Sequence, residues 1–182
     1  RNNSETGRVY PIVKIFTGGL KNDMSSADTG WILASSALVL LMTPGLAFFY
    51  GGLVRRKNAA ATIMHSFMTI GLVGVVWVLW GYSLAFGPTV GGFVGNLDWI
   101  GLSGVSATEA GPYSDTIPHQ AFMVFQGMFA IITPALIVGA FAERMKFSAF
   151  IVFIVAWVTI VYAPMAHWVW GQGGWLGNLG AL

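Results

Sequence analysis

The run AAATIMHSFMTIGLVGVVWVLWGYSLAF, residues 59–86, contains no Asp, Glu, Lys or Arg. It is longer than the roughly 20 apolar residues that carry a helix across a bilayer. In hydrocarbon each backbone N–H and C=O must be satisfied within the segment, so helix is the expected conformation. Residues 29–50, 121–142 and 147–170 read the same way. The chain is therefore expected to be an all-α integral membrane protein with four transmembrane helices.

Composition points the same way. Of 182 residues, 55% are hydrophobic and only 9% charged, against about a quarter charged in soluble domains. Mean hydropathy is +0.70. The net charge of +2 is too small to suggest a nucleic-acid surface. There is no cysteine, which excludes a disulfide framework, a thiolate metal site and a cysteine nucleophile.

The basic residues set an orientation. Arg55, Arg56 and Lys57 fall between the first and second runs, and Arg144 and Lys146 between the third and fourth. The connection 87–120 has no Lys or Arg, and the segment 171–182 has no charge at all. Basic loops stay cytoplasmic. The first helix is then expected to start outside and the fourth to end outside, a multi-pass arrangement in the plasma (inner) membrane. Trp168, Trp170 and Trp175 would lie near the outer interface, where indoles concentrate.

Residues 1–23 depart from this pattern, because Arg1, Arg8, Lys14 and Lys21 would sit on the outer side. They read as an extension upstream of a natural start at Met24, leaving 24–182 as the membrane domain. Pro44-Gly45 is expected to interrupt the first helix and Gly51-Gly52 to close it. Pro134 and Pro164 lie within the third and fourth helices, where neighbouring helices can re-satisfy freed backbone groups.

Several blocks in order carry a resemblance. FFYGGLVRRKN (48–58), GYSLAFG (81–87), FQG (125–127), GAFAER (139–144) and AHWVWG (166–171) resemble the ammonium transporter (Amt/Rh) family, its Amt branch in particular. The resemblance runs from about residue 28 to 182. It implies a fold of eleven transmembrane helices, ten of them an inverted repeat, of which this chain supplies the first four. It also implies a homotrimer in which each subunit holds a narrow pore for ammonium or ammonia. An aspartate is expected directly after Gly180-Ala181-Leu182, and a pore histidine a turn or two later. On that reading the 182 residues are a fragment unable to conduct alone.

The chemistry of such a pore has a physical constraint. Moving a bare ammonium ion into low dielectric costs on the order of tens of kcal/mol. Contact with an aromatic face returns only about 0.5–2 kcal/mol. Aromatic rings can therefore concentrate the cation at a wet mouth but cannot carry it through an apolar pore.

By position in the matching blocks, the resemblance makes Trp170 the vestibule tryptophan that holds the cation. It makes Phe129 the phenylalanine gate, with Phe125 one turn earlier on the same helical face. On position alone Trp170 reads as an interfacial belt residue, and Phe125 and Phe129 as helix packing. His65, His119 and His167 do not match the family's paired pore histidines and read as polar packing or interface residues. Glu143 reads as a solvated cap beside Arg144.

Two functions follow from the resemblance. One is transport of ammonium or ammonia; the alternative is an ammonium-sensing membrane module coupled to a signalling partner. A stand-alone four-helix binding or assembly protein is a third, weaker option. Neither a cofactor nor an enzymatic constellation is legible. The family further implies docking of a PII-type regulatory protein on the cytoplasmic face, at 55–58 and 143–146.

Overall fold

The computed structural model describes residues 24–141 and 143–180. The proposed extension 1–23 lies outside the described residues, as do Ala181 and Leu182.

Four helical runs are long and apolar enough to cross a membrane: Ser26–Leu53, Arg56–Phe86, His119–Phe141 and Phe147–Asn178. In finer detail, helix α1 spans Ser26–Leu53 and α2 spans Ala59–Val76. A π-helical stretch, Trp77–Gly81, joins α2 to α3, Tyr82–Phe86. Helix α4 is His119–Phe141. The fourth run comprises α5 (Phe147–Trp157), a second π stretch (Val158–Tyr162) and α6 (Ala163–Trp170). After a break at Gly171 the short α7, Trp175–Asn178, follows.

Helix α1 begins earlier than the apolar run suggests. The Ser25 side chain accepts from the Asp28 amide at 3.1 Å, satisfying one of the orphan donors of the first turn. Asp28 also places negative charge at the positive end of the helix. The expected interruption at Pro44-Gly45 does not occur, since α1 is continuous through Pro44. Proline removes only one helical donor, whereas breaking the helix in hydrocarbon would strand several backbone groups. Most of the circumference of α1 is unpartnered, with Trp31, Leu38, Phe48 and Leu53 exposed.

Helix α1 packs against α2 and α4, and α2 packs against α4 and α5. The buried centre holds Val73, Trp77, Tyr82 and Phe86 from the second run, Ala130 and Ile131 from α4, and Phe150, Ile154 and Val158 from the fourth. Without a water-driven hydrophobic effect between membrane helices, close fit and hydrogen bonds carry the association. The fit is tight at two glycines. A Cβ on Gly127 would lie 2.9 Å from the Trp77 indole, and one on Gly139 would lie 2.8 Å from the Tyr50 ring. Trp77 Nε1 donates to the Met123 carbonyl at 3.1 Å, and the Tyr50 hydroxyl to the Leu136 carbonyl at 2.9 Å.

The connection between the second and third spans is ordered as two antiparallel hairpins. Strands β1 (Thr89–Val90) and β2 (Val94–Gly95) form one; β3 (Ala110–Gly111) and β4 (Ser114–Pro118) form the other. Strands this short carry no alternation for a sequence reading to detect. Side-chain hydrogen bonds tie them to the helix end. The Ser83 hydroxyl donates to Asn96 O, and Tyr113 OH donates to Phe86 O at 2.7 Å. The Ser25 amide also donates to Thr116 O at 2.9 Å, fixing the start of α1 to β4.

The opposite end carries the basic residues. Glu143, in the left-handed backbone region with φ +66°, turns the chain out of α4. Its carboxylate accepts from the Arg55 amide at 3.0 Å and from Asn58 Nδ2 at 2.8 Å. It is exposed, as expected of a cap, but what it caps is the neighbouring basic turn. The Asn58 amide first, and the Arg55 backbone second, hold its carboxyl below the usual carboxylate range.

Candidate functional site

Helices α4 and α6 run antiparallel and wall a cavity of about 630 Å³. Phe125, Phe129 and Thr133 line it from α4; Tyr162, Ala166 and Trp170 line it from the fourth run. Both sets are spaced by four residues, which puts each on one helical face with steps of roughly 6 Å.

The rings are positioned by identifiable contacts. Phe125 and Phe129 meet edge to face, with centroids 5.1 Å apart and planes at 78°. Phe129 is 39% exposed and Trp170 54% exposed, so both present ring surface to the cavity. Gly171 ends α6 immediately after Trp170, and a Cβ there would collide with the His167 ring. Thus Trp170 occupies the last helical position, above the cavity and beside the hairpins.

The cavity owes its lower part to the second π stretch. In it the Ala163 amide bonds to Val158 O, five residues back. The extra residue per turn rotates the side chains that follow. The first π stretch does the same, with Tyr82 N bonding to Trp77 O. The two stretches face one another: Trp77 and Tyr162 have ring centroids 6.1 Å apart, and Trp80 Nε1 donates to Thr159 Oγ1 at 2.9 Å. Such π turns often mark functional places in helices.

Composition of the lining is mainly aromatic and aliphatic: Trp157, Met165 and Val169 join the residues above. Polar groups are few, namely Gln126, Thr133 and Tyr162. The expected trio Phe125, Phe129 and Trp170 is therefore brought together in one cavity. Gln126 entered only as part of the FQG block, without a site role, and Thr133, Trp157 and Tyr162 went unremarked in the sequence. The signal for two of them was present in the 125/129/133 and 162/166/170 spacings.

None of the three histidines lines this cavity. His167 is buried, with Nδ1 on Ala85 O at 3.0 Å and Nε2 on Thr89 Oγ1 at 2.9 Å. A carbonyl can only accept, so Nδ1 carries the proton and Nε2 accepts from the threonine hydroxyl. His119 is buried against Tyr82, Nε2 to hydroxyl at 2.7 Å. His65 packs edge-on to Phe147 and Phe150. Among the described residues no cluster of His, Cys, Asp or Glu could hold a metal ion. Near the hairpins, burial raises the Tyr113 phenol above its usual value, partly offset by the Gln172 amide that donates to it.

Comparison with known proteins decides the family. The model of the Ammonium Transporter Family matches residues 30–182. The chain belongs to the ammonium transporter family. It is 57% identical over 159 residues to an ammonium transporter of Bacillus subtilis, covering 87% of this chain and 39% of that protein. With an ammonium transporter of Mycobacterium tuberculosis it shares 47% over 190 residues, covering 93% and 38%. The crystal structure of Candida albicans Mep2 superimposes with a TM-score of 0.79 at 37% identity, over 92% of this chain and 36% of that one. The chain thus spans about two-fifths of the length of the curated relatives it matches. Four spanning helices and transporter relatives make it a multi-pass membrane protein of the Amt type, and these relatives are transporters rather than enzymes.

Proposed function

We propose that this chain forms the first part of a channel or transporter for ammonium or ammonia, and that it recruits the cation at an aromatic vestibule. The observation that carries the reading is the convergence of Phe125, Phe129 and Trp170 on one cavity between antiparallel helices. Trp170, at the open end, holds the cation over its ring face, a contact contributing about 0.5–2 kcal/mol. Phe129, one step deeper, is the gate, and Phe125 braces it.

The hairpin end is the outer side and the basic end the cytoplasmic side of the plasma membrane. Arg55, Arg56, Lys57, Arg144 and Lys146 all lie at one end of the bundle, which supports this orientation. The start of α1 is then outside. The complete transporter has eleven helices and assembles as a homotrimer. Conduction requires the second half of the inverted repeat, which supplies the other pore wall and the pore histidines. The turns at 55–58 and 143–146, joined through Glu143, are the surface offered to a PII-type regulator.

The test is uptake of labelled methylammonium by cells lacking their own ammonium transporters. The complete coding region carrying this segment is expected to restore uptake. Trp170→Leu is expected to raise KM by about 2- to 30-fold, the range that 0.5–2 kcal/mol implies. No uptake by the wild type, or an unchanged KM in Trp170→Leu, would overturn the reading.

A further inference from the structure

The chain leaves Trp170, the last helical residue of α6, through Gly171 and Gln172, and the second hairpin holds Gln172. The Gln172 amide donates to the Tyr113 hydroxyl at 3.1 Å, and its side-chain Nε2 donates to the Pro112 carbonyl. Tyr113 in turn donates its hydroxyl proton to the Phe86 carbonyl at 2.7 Å. A carbonyl only accepts and an amide N–H only donates, so both roles of the phenol are fixed. The same ring lies flat on Phe122, with centroids 4.9 Å apart and planes at 2°. Phe122 belongs to α4 and precedes Phe125 by three residues. Tyr113 thus joins the helix that carries Phe125 and Phe129 to the chain just past Trp170, and anchors both on the end of α3. Neither Tyr113 nor Gln172 lines the cavity itself.

We infer that Tyr113 is a positioning residue of the vestibule, setting the spacing between Trp170 and the Phe125–Phe129 face through Gln172 on one side and Phe122 on the other. The inference rests on the vestibule reading above and deepens it. Trp170 is more than half exposed, so its ring owes its place largely to the backbone on either side. Before it, His167 is tied to Ala85 O and Thr89 Oγ1; beyond it, Gln172 is tied to Tyr113 and Pro112. A cation–π contact needs the cation within about 6 Å of the ring centroid, so a ring that swings away loses it. Apparent affinity then falls by the fraction of time the ring is in place, whereas a saturating cation selects the competent arrangement. Loosening the strap therefore raises KM and spares the maximal rate.

The test uses the complete coding region carrying this segment, with labelled methylammonium as probe and membrane abundance measured in parallel. Tyr113→Phe removes both hydroxyl bonds and keeps the stack on Phe122. It is expected to raise KM about threefold, as for a ring in place about a third of the time, with the maximal rate within about twofold of wild type. Gln172→Ala, at an exposed residue, loses only the bond to Pro112 and is expected to raise KM about twofold; it carries the test if Tyr113→Phe fails to reach the membrane. In a Trp170→Leu background, Tyr113→Phe is expected to leave KM within about 1.5-fold of Trp170→Leu alone, because the ring it positions is gone. A merely structural tyrosine would add its own effect there. A wild-type KM in the variants that reach the membrane, or a KM effect that persists undiminished without Trp170, overturns the inference. If Trp170→Leu itself leaves KM unchanged, the vestibule reading and this inference both fall; if it raises KM while Tyr113→Phe does not, only the positioning role falls.

Discussion

Trp80 Nε1 donates to Thr159 Oγ1 across 2.9 Å, joining the π stretch of the second span to that of the fourth. Thr159 in turn donates to Val155 O at 2.8 Å, so the tryptophan proton meets a hydroxyl oriented by its own helix. Removing the donor with Trp80→Phe keeps most of the packing and leaves the hydroxyl short of one bond. A net hydrogen bond contributes about 0.5–1.5 kcal/mol. Trp80→Phe and Thr159→Val are each expected to destabilise by about that amount. In a double-mutant cycle followed by thermal unfolding in detergent, the second substitution should add less than its single value. Full additivity would show that the pair does not interact.

Packing predicts a contrast between two glycines. Gly127 is seated under the Trp77 indole, and a Cβ would meet two of its atoms at 2.9 Å. Overpacking of this sort costs about 1–3 kcal/mol, so Gly127→Ala is expected to lower Tm clearly. Gly45, on the outer face of α1, has nothing within 4 Å of its would-be Cβ. There alanine is expected to be neutral or stabilising by about 0.5–1 kcal/mol, through helix propensity. Equal melting of the two variants would contradict the close approach of the second and third spans.

The basic end yields a pH prediction. Glu143 has its carboxyl lowered from an ordinary value of 4.5 by the Asn58 amide and then the Arg55 backbone amide. A folded-state pKa below the unfolded one contributes stability that is fully present above the unfolded pKa. That contribution is lost as pH falls through the folded value. Melting temperature is therefore expected to fall on acidification below about pH 4.5 by more in the wild type than in Glu143→Gln. Identical acid limbs would show that Glu143 does not bridge the two turns.

How much of this was legible in the sequence depends on the scale of the feature. The spans were, because a run such as 59–86 leaves a chain in hydrocarbon no alternative to helix. The continuity of α1 was not, since proline reads as a breaker unless the cost of stranding backbone in lipid is weighed. The π stretches were also hidden: a change from four- to five-residue bonding at Trp77–Gly81 leaves no mark in residue type. At the cavity, the family pattern pointed to Phe125, Phe129 and Trp170. Thr133 and Tyr162 emerge only when the two helices are seen to wall one cavity. The role of Glu143 depended on Asn58, 85 positions away in sequence.

Phe125 and Phe129 share one face of α4 but should not behave alike. Phe129 is more open to the cavity, while Phe125 is partly buried and touches it edge to face at 5.1 Å. An aromatic pair of this geometry contributes about 0.5–1.5 kcal/mol beyond area burial. Phe125→Leu removes that brace and leaves the gate ring in place but freer to turn. Phe129→Leu removes the gate itself. In methylammonium uptake by the complete transporter, Phe125→Leu is expected to change KM or maximal rate by at most about threefold. Phe129→Leu is expected to alter selectivity, admitting larger alkylammonium ions that the wild type excludes. Competition by dimethylammonium measures this directly: stronger inhibition in Phe129→Leu than in Phe125→Leu supports the division of labour, and the reverse order would assign the gate to Phe125.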